Sequence, residues 1–144
     1  MILAGRSIKD KMGTYIAQEI MKLMTIKNIN IAESKALILG LAFKENCPDI
    51  RNTRVIDILE ELKLHKVDVP VYDPVVNFDD VRKEFGLELL KDLPSEQYDS
   101  TIIAVGHSEF IKMGPDRIAR FGKSPCVIYD VKSLLGINKS DSRL

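Results

Sequence analysis

Apolar residues recur along the chain in two rhythms, and together they predict a sheet whose strands alternate with helices. Short apolar runs, typical of buried strands, occupy residues 35–40, 67–72, 101–105 and 126–131. Between these runs the apolar positions recur every three or four residues, as they do on the buried face of a helix. Strands separated by helices pair in parallel through right-handed crossovers. We therefore predict an α/β fold with a three-layer, doubly wound, mostly parallel sheet.

A long helix precedes the predicted sheet. Residues 6–27 carry apolar side chains at helical spacing, and Met21 and Met24 widen this apolar surface beyond a single stripe. A helix with so much apolar surface needs a second surface against which to bury it. We predict that it projects from the sheet and forms the contact of a homodimer.

The other elements are marked by apolar spacing and by helix-breaking residues. Asn52 or Thr53 can cap a helix after the first strand, and Gly114-Pro115 is expected to break the helix predicted at 109–121. The buried face of the capped helix is predicted to comprise Val55, Ile58, Leu59 and Leu62. A short helix is predicted at 78–85, ended near Gly86, and a minor strand is predicted at 87–90. The polar tail after residue 131 is expected to fray.

The loop after the first strand carries the candidate chemistry. In an open α/β sheet, the loop at the carboxyl end of a strand borders the ligand crevice. This loop holds Lys44, Asp49 and Arg51, and two cations suit an anionic ligand such as a phosphate or pyrophosphate. Asp49 could orient Arg51, but we favour the simpler interpretation that it is a turn residue before the helix.

Composition limits the partners that the chain can have. It has 144 residues, about one domain, with 21 basic and 21 acidic residues and a formal net charge of zero. This balance argues against a nucleic-acid partner, and no apolar run approaches the roughly 20 residues of a membrane span. The two cysteines, Cys47 and Cys126, lie far apart, as in a protein of the reducing cytoplasm. The two histidines and scattered acids give no metal-ligand spacing.

The loop sequence and the segments around it resemble a known family. The string Phe43-Lys44-Glu45-Asn46-Cys47-Pro48-Asp49-Ile50-Arg51-Asn52-Thr53 is similar to the C-terminal part of the UDP-glucose/GDP-mannose dehydrogenases, where a strand runs into a G-x-x-F-K loop followed by D-x-R. It is most similar to the branch of UDP-N-acetylhexosamine 6-dehydrogenases. Matching segments at 2–13, 71–74, 104–107 and 129–132 extend the resemblance over nearly the whole chain.

The resemblance implies an enzyme of which this chain is one part. The family uses NAD to oxidise a UDP-hexose or UDP-N-acetylhexosamine to its uronate through a cysteine-bound intermediate, a reaction that serves polysaccharide biosynthesis. The G-G-x-C segment of the nucleophile and the G-x-G-x-x-G fingerprint of NAD sites are absent from this sequence. We therefore expect no catalytic residue here, and a chain that is inactive by itself. Residues 1–33 would end an interdomain and dimerisation helix, and residues 34–144 would form a Rossmann-like UDP-sugar-binding domain.

The resemblance also assigns roles to single residues. Phe43 and Lys44 would contact the UDP-sugar, and Arg51 would reach toward the NAD held by the missing domain. Lys132 stands where such dehydrogenases usually have arginine, so it would keep the charge beside the nucleotide but lose bidentate contact. Arg6 would reach the sugar nucleotide of a neighbouring subunit, with an exposed helix-entry arginine as the alternative. The sugar stays open among glucose and the N-acetylated hexosamines.

Other candidates have simpler interpretations. Cys47 is expected to be structural because the nucleophile of the family belongs to a different segment, and Cys126 is expected in the core. His107 follows a strand end and is expected to be a hydrogen-bonded structural residue, with nothing nearby to pair with it as a base. The alternative function is a stand-alone nucleotide-binding or dimerisation module without catalysis.

Overall fold

The sheet is parallel throughout. A computed structural model describes the backbone of residues 3–51, 53–132 and 142–143, and the side chains of residues 12–51 and 53–132. Within these residues five strands lie in the order β2-β1-β3-β4-β5. They are β1 (Ala36–Leu39), β2 (Val71–Tyr72), β3 (Tyr98–Ile103), β4 (Gly122–Asp130) and β5 (Ser142–Arg143). The predicted α/β fold and parallel pairing are confirmed.

Helices cover both faces of this sheet. In the described part of the chain they are α1 (Leu3–Ile26), α2 (Val55–Leu64), α3 (Phe78–Phe85) and α4 (Ser108–Ala119). One apolar cluster joins the sheet to α1, α2 and α3, and a second joins the opposite face to α4. The result is the predicted arrangement of three layers.

The burial of strand β1 explains why apolar and polar residues do not alternate in that part of the sequence. All four of its residues are buried, with Ala36 and Ile38 in the cluster under α1 and α2 and Leu37 and Leu39 in the cluster under α4. Its neighbour β3 pairs Ile38 with Ile102. A strand covered on both faces needs apolar residues at every position, which gives a continuous run.

The prediction that the first helix projects from the sheet is wrong for the described part of α1. This helix packs against α2, β3 and β4, and Ala17, Ile20 and Met24 are completely buried there. The physical reason is that its apolar surface has a partner within the same chain. Met12 and Tyr15 of the same helix remain 42% and 50% exposed.

Helix α2 has the predicted buried face, since Val55, Ile58, Leu59 and Leu62 are all buried. Its start differs from the prediction. The N-cap is Arg54, which makes no side-chain cap, and the Thr53 hydroxyl accepts a bond from the Val55 N–H at 3.3 Å. Asn52 lies outside the described residues.

The short elements agree only in part with their predictions. Helix α3 ends at Gly86 as expected, and α4 is interrupted at Gly114, where φ is 76° and ψ is 164°. The segment 87–90 forms no strand; its Leu90 N–H donates to the Val71 carbonyl at 2.8 Å. Strand β4 begins before Cys126, and β5 lies in the tail that was expected to fray, where it pairs with Tyr129 and Asp130.

No helix in the described residues is long and apolar enough to cross a membrane.

Candidate functional site

The site follows from where the chain changes direction across the sheet. From β1 the chain continues to α2 on one face, and from β3 it continues to α4 on the other. Ligands of open α/β sheets bind outside the strand ends at such a switch point. Gly40 ends β1 there with φ of 103°, and a Cβ atom at this position would stand 2.9 Å from the backbone nitrogen of Val105. A glycine therefore lets the two strand ends lie close together.

A cavity of about 230 Å³ opens at this switch point. One wall is apolar and comes from α1 and α2, and the rest comes from the ends of β1, β3 and β4. Two cationic side chains, Arg54 and Lys132, also border it. The lining comprises Met12, Gly13, Ile16, Ala42, Phe43, Thr53, Arg54, Val55, Ile58, Ala104, Val105, Val131 and Lys132.

The start of α2 lies at this cavity, where the Arg54 side chain is 3.7 Å from the Asp57 carboxylate. Thr53, Arg54 and Val55 at the start of the helix all line it, so the first backbone N–H groups of α2 lie at its edge. Helix N-termini favour anions because these N–H groups have no partner within the helix. Arg54 was not among the predicted site residues, although its place in the first turn of the helix predicted after Asn52 or Thr53 was the signal that could have found it.

Two predicted residues lie together at the cavity, and a third lies beside it. Phe43, 55% exposed, and Lys132 both line the cavity. Lys44 is exposed in the loop that follows Phe43 and is not part of the cavity lining. Arg6 belongs to α1, and its side chain falls outside the described residues.

Arg51 lies apart from this group because Asp49 holds it. The two side chains form a bidentate pair with both N–O distances at 3.1 Å, and the Asp49 carboxylate also accepts the Arg51 backbone N–H at 2.9 Å. The hydrogen bond from the Arg51 side chain lowers the pKa of Asp49 below its ordinary value. Asp49 is thus a turn residue that also orients Arg51, which corrects the interpretation that it only makes the turn. Arg51 borders a second cavity, of about 340 Å³, shared with Asp80, Lys83 and Glu84.

A buried carboxylate ties the strand ends together. Asp73, 1% exposed at the end of β2, accepts the N–H groups of Leu41 at 2.7 Å and Ala42 at 3.0 Å on the same oxygen. Burial alone would raise its pKa, but hydrogen bonds from His107, Leu41, Val75 and Ala42 outweigh that effect and leave the pKa below its ordinary value. Asp73 is therefore held as an anion beside the cavity loop.

His107 completes this network, and the expectation that nothing pairs with it is wrong. Its Nε2 lies 2.9 Å from the Asp73 carboxylate, and its Nδ1 accepts the Asn46 N–H at 2.8 Å. Since Nδ1 accepts, the ring is the neutral tautomer that carries its proton on Nε2. The predicted structural role of His107 is confirmed; its partner is 34 residues away in the sequence.

Comparison with known proteins decides the family. Residues 37–137 match the UDP-glucose/GDP-mannose dehydrogenase family, UDP binding domain. The chain belongs to this family. It is also 46% identical over 144 residues to a UDP-N-acetyl-D-glucosamine 6-dehydrogenase of Salmonella typhi, covering 100% of the chain and 34% of the relative. A Pseudomonas aeruginosa relative of the same name is 44% identical, with the same coverage of 100% and 34%.

Solved structures support the fold. The UDP-D-ManNAc dehydrogenase of Pyrococcus horikoshii aligns with a TM-score of 0.76 at 24% identity, over 96% of this chain and 31% of that one. The chain thus spans about a third of the length of the relatives that it matches.

Among the described residues that line the cavity, two are cationic and none is a cysteine. Cys47 and Cys126 are both half-buried and form no disulfide with each other, and Cys126 packs at the edge of the cluster under α4. Within the described residues no group of three His, Cys, Asp or Glu side chains could hold a metal ion. The cations that border the cavity suit an anionic ligand.

Proposed function

We propose that this chain holds the UDP part of a UDP-sugar in the cavity between the ends of β1 and β3. The observation that carries the proposal is the combination of an apolar wall with two cations and a helix start in one cavity. Lys132 and Arg54 carry the charge that suits the diphosphate oxygens, and the N-terminus of a helix such as α2 favours an anion. The exposed Phe43 ring offers an apolar face to the nucleoside.

Lys44 is proposed as a third cation, supplied by the loop. It follows Phe43 directly, so its backbone lies at the cavity edge although its side chain does not line the cavity. A lysine acts as a compact charge on a flexible stem and can reach a diphosphate that enters the cavity. Asp49, whose lowered pKa includes a small contribution from the charge of Lys44, is already paired with Arg51.

We infer that the whole protein is an NAD-dependent nucleotide-sugar 6-dehydrogenase, which oxidises a UDP-hexose or UDP-N-acetylhexosamine to its uronate. The names of the two relatives at 46% and 44% identity support the N-acetylated substrate. NAD supplies the hydride acceptor when it is bound, but this chain does not fit it alone: the long loop after β1 contains Pro48 and no G-x-G-x-x-G cradle. Arg51, exposed on the loop, is the residue that we propose for contact with NAD held by another part of the protein.

We propose further that α1 contributes to a homodimer and that Arg6 serves the neighbouring subunit. Met12 and Tyr15 support this role, because they leave apolar surface exposed on α1 beside the cavity. Sedimentation at increasing concentration tests it, and a strict monomer at high concentration contradicts it. We place the protein in the cytoplasm because Cys47 and Cys126 form no disulfide with each other.

Calorimetry with UDP, UDP-N-acetylglucosamine and NAD tests the proposed function. We expect the chain to bind the two uridine ligands, to bind NAD little, and to show no turnover. Lys44→Ala should weaken UDP binding about tenfold, since a charged contact to phosphate is lost, with Lys63→Ala at the far end of α2 as the matched control. An unchanged affinity removes Lys44 from the site. Absence of binding to either uridine ligand favours a dimerisation module instead.

A further inference from the structure

We propose that Asn46 and His107 form a clasp that holds the β1–α2 loop in the shape that binds the diphosphate. The proposal rests on the proposed function, and it makes His107 a positioning residue: it acts on the ligand through the loop.

The clasp consists of two reciprocal hydrogen bonds between the loop and the start of α4. The Asn46 N–H donates to Nδ1 of His107 at 2.8 Å, and the Asn46 side-chain oxygen accepts the Ser108 N–H at 2.9 Å. Asn46 has φ of 59°, a left-handed conformation that asparagine tolerates better than most residues. One residue thus makes both bonds, and its type suits the backbone that they require.

His107 is a rigid partner for the loop. The ring is fully buried, its Nε2 is held 2.9 Å from Asp73, and the Phe110 ring packs against it with centroids 5.5 Å apart. The Asp73 bond fixes the proton on Nε2, which leaves Nδ1 as an acceptor directed at the loop. The buried pair of Asp73 and His107 therefore keeps Nδ1 as an acceptor for the Asn46 N–H.

The clasp matters because burial of side chains does little to order the loop. Phe43, Lys44, Glu45 and Asn46 are all exposed, so apolar burial contributes little to fixing them. The Phe43 N–H donates to the Asp49 carbonyl at 2.7 Å and closes the base of the loop. Lys44 therefore lies between two fixed points, the base and the clasp. A loop that is ordered before the ligand arrives does not lose that conformational entropy on binding.

Two substitutions of His107 separate the two ring nitrogens. The side-chain amide of His107→Gln can donate to Asp73 in place of Nε2, but it places no acceptor at the position of Nδ1. The side-chain oxygen of His107→Asn lies near the position of Nδ1, but this variant loses the hydrogen bond to Asp73. We expect His107→Gln to bind UDP five- to tenfold more weakly, as for the loss of about one hydrogen bond. His107→Asn should regain most of that affinity although it is the less stable protein.

Hydrogen exchange of the Asn46 amide gives a readout independent of the ligand. We expect its protection to fall about tenfold in His107→Gln and to stay closer to the original chain in His107→Asn. The clasp is overturned if His107→Gln leaves the affinity for UDP and the protection of the Asn46 amide unchanged. It is also overturned if the less stable of the two variants is simply the one that binds UDP more weakly. If the unaltered chain binds no UDP, the proposed function fails, and the exchange of Asn46 still decides whether the clasp exists.

A third variant covers the case in which the buried substitutions do not fold. Asn46→Gly keeps the left-handed backbone and removes the acceptor for Ser108, and the position is exposed, so the fold should survive. We expect UDP affinity to fall about two- to fivefold, as for one exposed hydrogen bond. An affinity equal to that of the unaltered chain contradicts the clasp.

Discussion

Replacing Asp73 by asparagine should be among the most destabilising single-atom changes in this protein. One oxygen of Asp73 accepts from Leu41, Ala42 and His107, and the other accepts from Val75 at 2.8 Å and Val76 at 3.3 Å. An amide has only one oxygen. Whichever way it is oriented, its NH₂ group therefore faces at least two N–H donors that have no other partner.

The magnitude follows from those unpaired donors. A buried donor left without an acceptor costs about 1–3 kcal/mol, so Asp73→Asn should lower the free energy of unfolding by about 3 kcal/mol. A domain of this size has roughly 5–15 kcal/mol in total. The melting temperature should fall by about 6–12 °C, at about 2–4 °C per kcal/mol for a chain of this length.

Urea unfolding followed by circular dichroism measures the effect, with Asp116→Asn on the exposed surface of α4 as the control. The pH dependence sharpens the test. Because the hydrogen bonds of Asp73 lower its pKa in the folded state, its stabilisation is complete above the ordinary value of 3.8 and is lost as pH falls through the folded pKa. The difference between the two proteins should therefore shrink below about pH 4. Two results refute the account of Asp73 as an anion with five donors. One is a difference in the free energy of unfolding between the two proteins of less than about 1 kcal/mol at pH 7. The other is a difference at pH 3 as large as the one at pH 7.

Two further predictions concern the walls of the cavity. A Cβ atom on Gly13 would clash with the Asp57 side chain and lie 3.1 Å from the Ile58 nitrogen. Gly13→Ala should therefore lower the free energy of unfolding in urea by about 1–3 kcal/mol, although alanine has the better helix propensity. The control Gln18→Ala, on the exposed face of α1, should leave this free energy unchanged or raise it. Lys132→Arg should bind UDP about two- to fivefold more tightly in calorimetry, because a guanidinium can contact phosphate in a bidentate manner. An unchanged affinity would place Lys132 outside contact with the diphosphate.

The main elements of the fold could be predicted because local pattern determines them. The four apolar positions of α2 lie on one face and are all buried, and β1 is apolar throughout because helices cover both sides of it. Helix α1 shows where this reasoning ends. Its periodicity indicates that an apolar surface must be buried, but it does not say whether the partner is this chain's own sheet or a second subunit. The sheet covers Ala17 and Ile20, while Met12 and Tyr15 stay exposed.

The candidate site was harder to predict because nearness along the chain is a poor guide to nearness at a sheet edge. Lys44 and Arg51 share one loop whose two cations suit an anionic ligand, yet Asp49 pairs with Arg51, which borders a separate cavity beside α3. Asp73 and His107 are 34 residues apart and touch. Asp73 comes directly after one predicted parallel strand and His107 lies two residues after another, and the carboxyl ends of such strands meet at one edge. Polar residues that follow different strands were therefore a better guide to the network than polar residues within one loop.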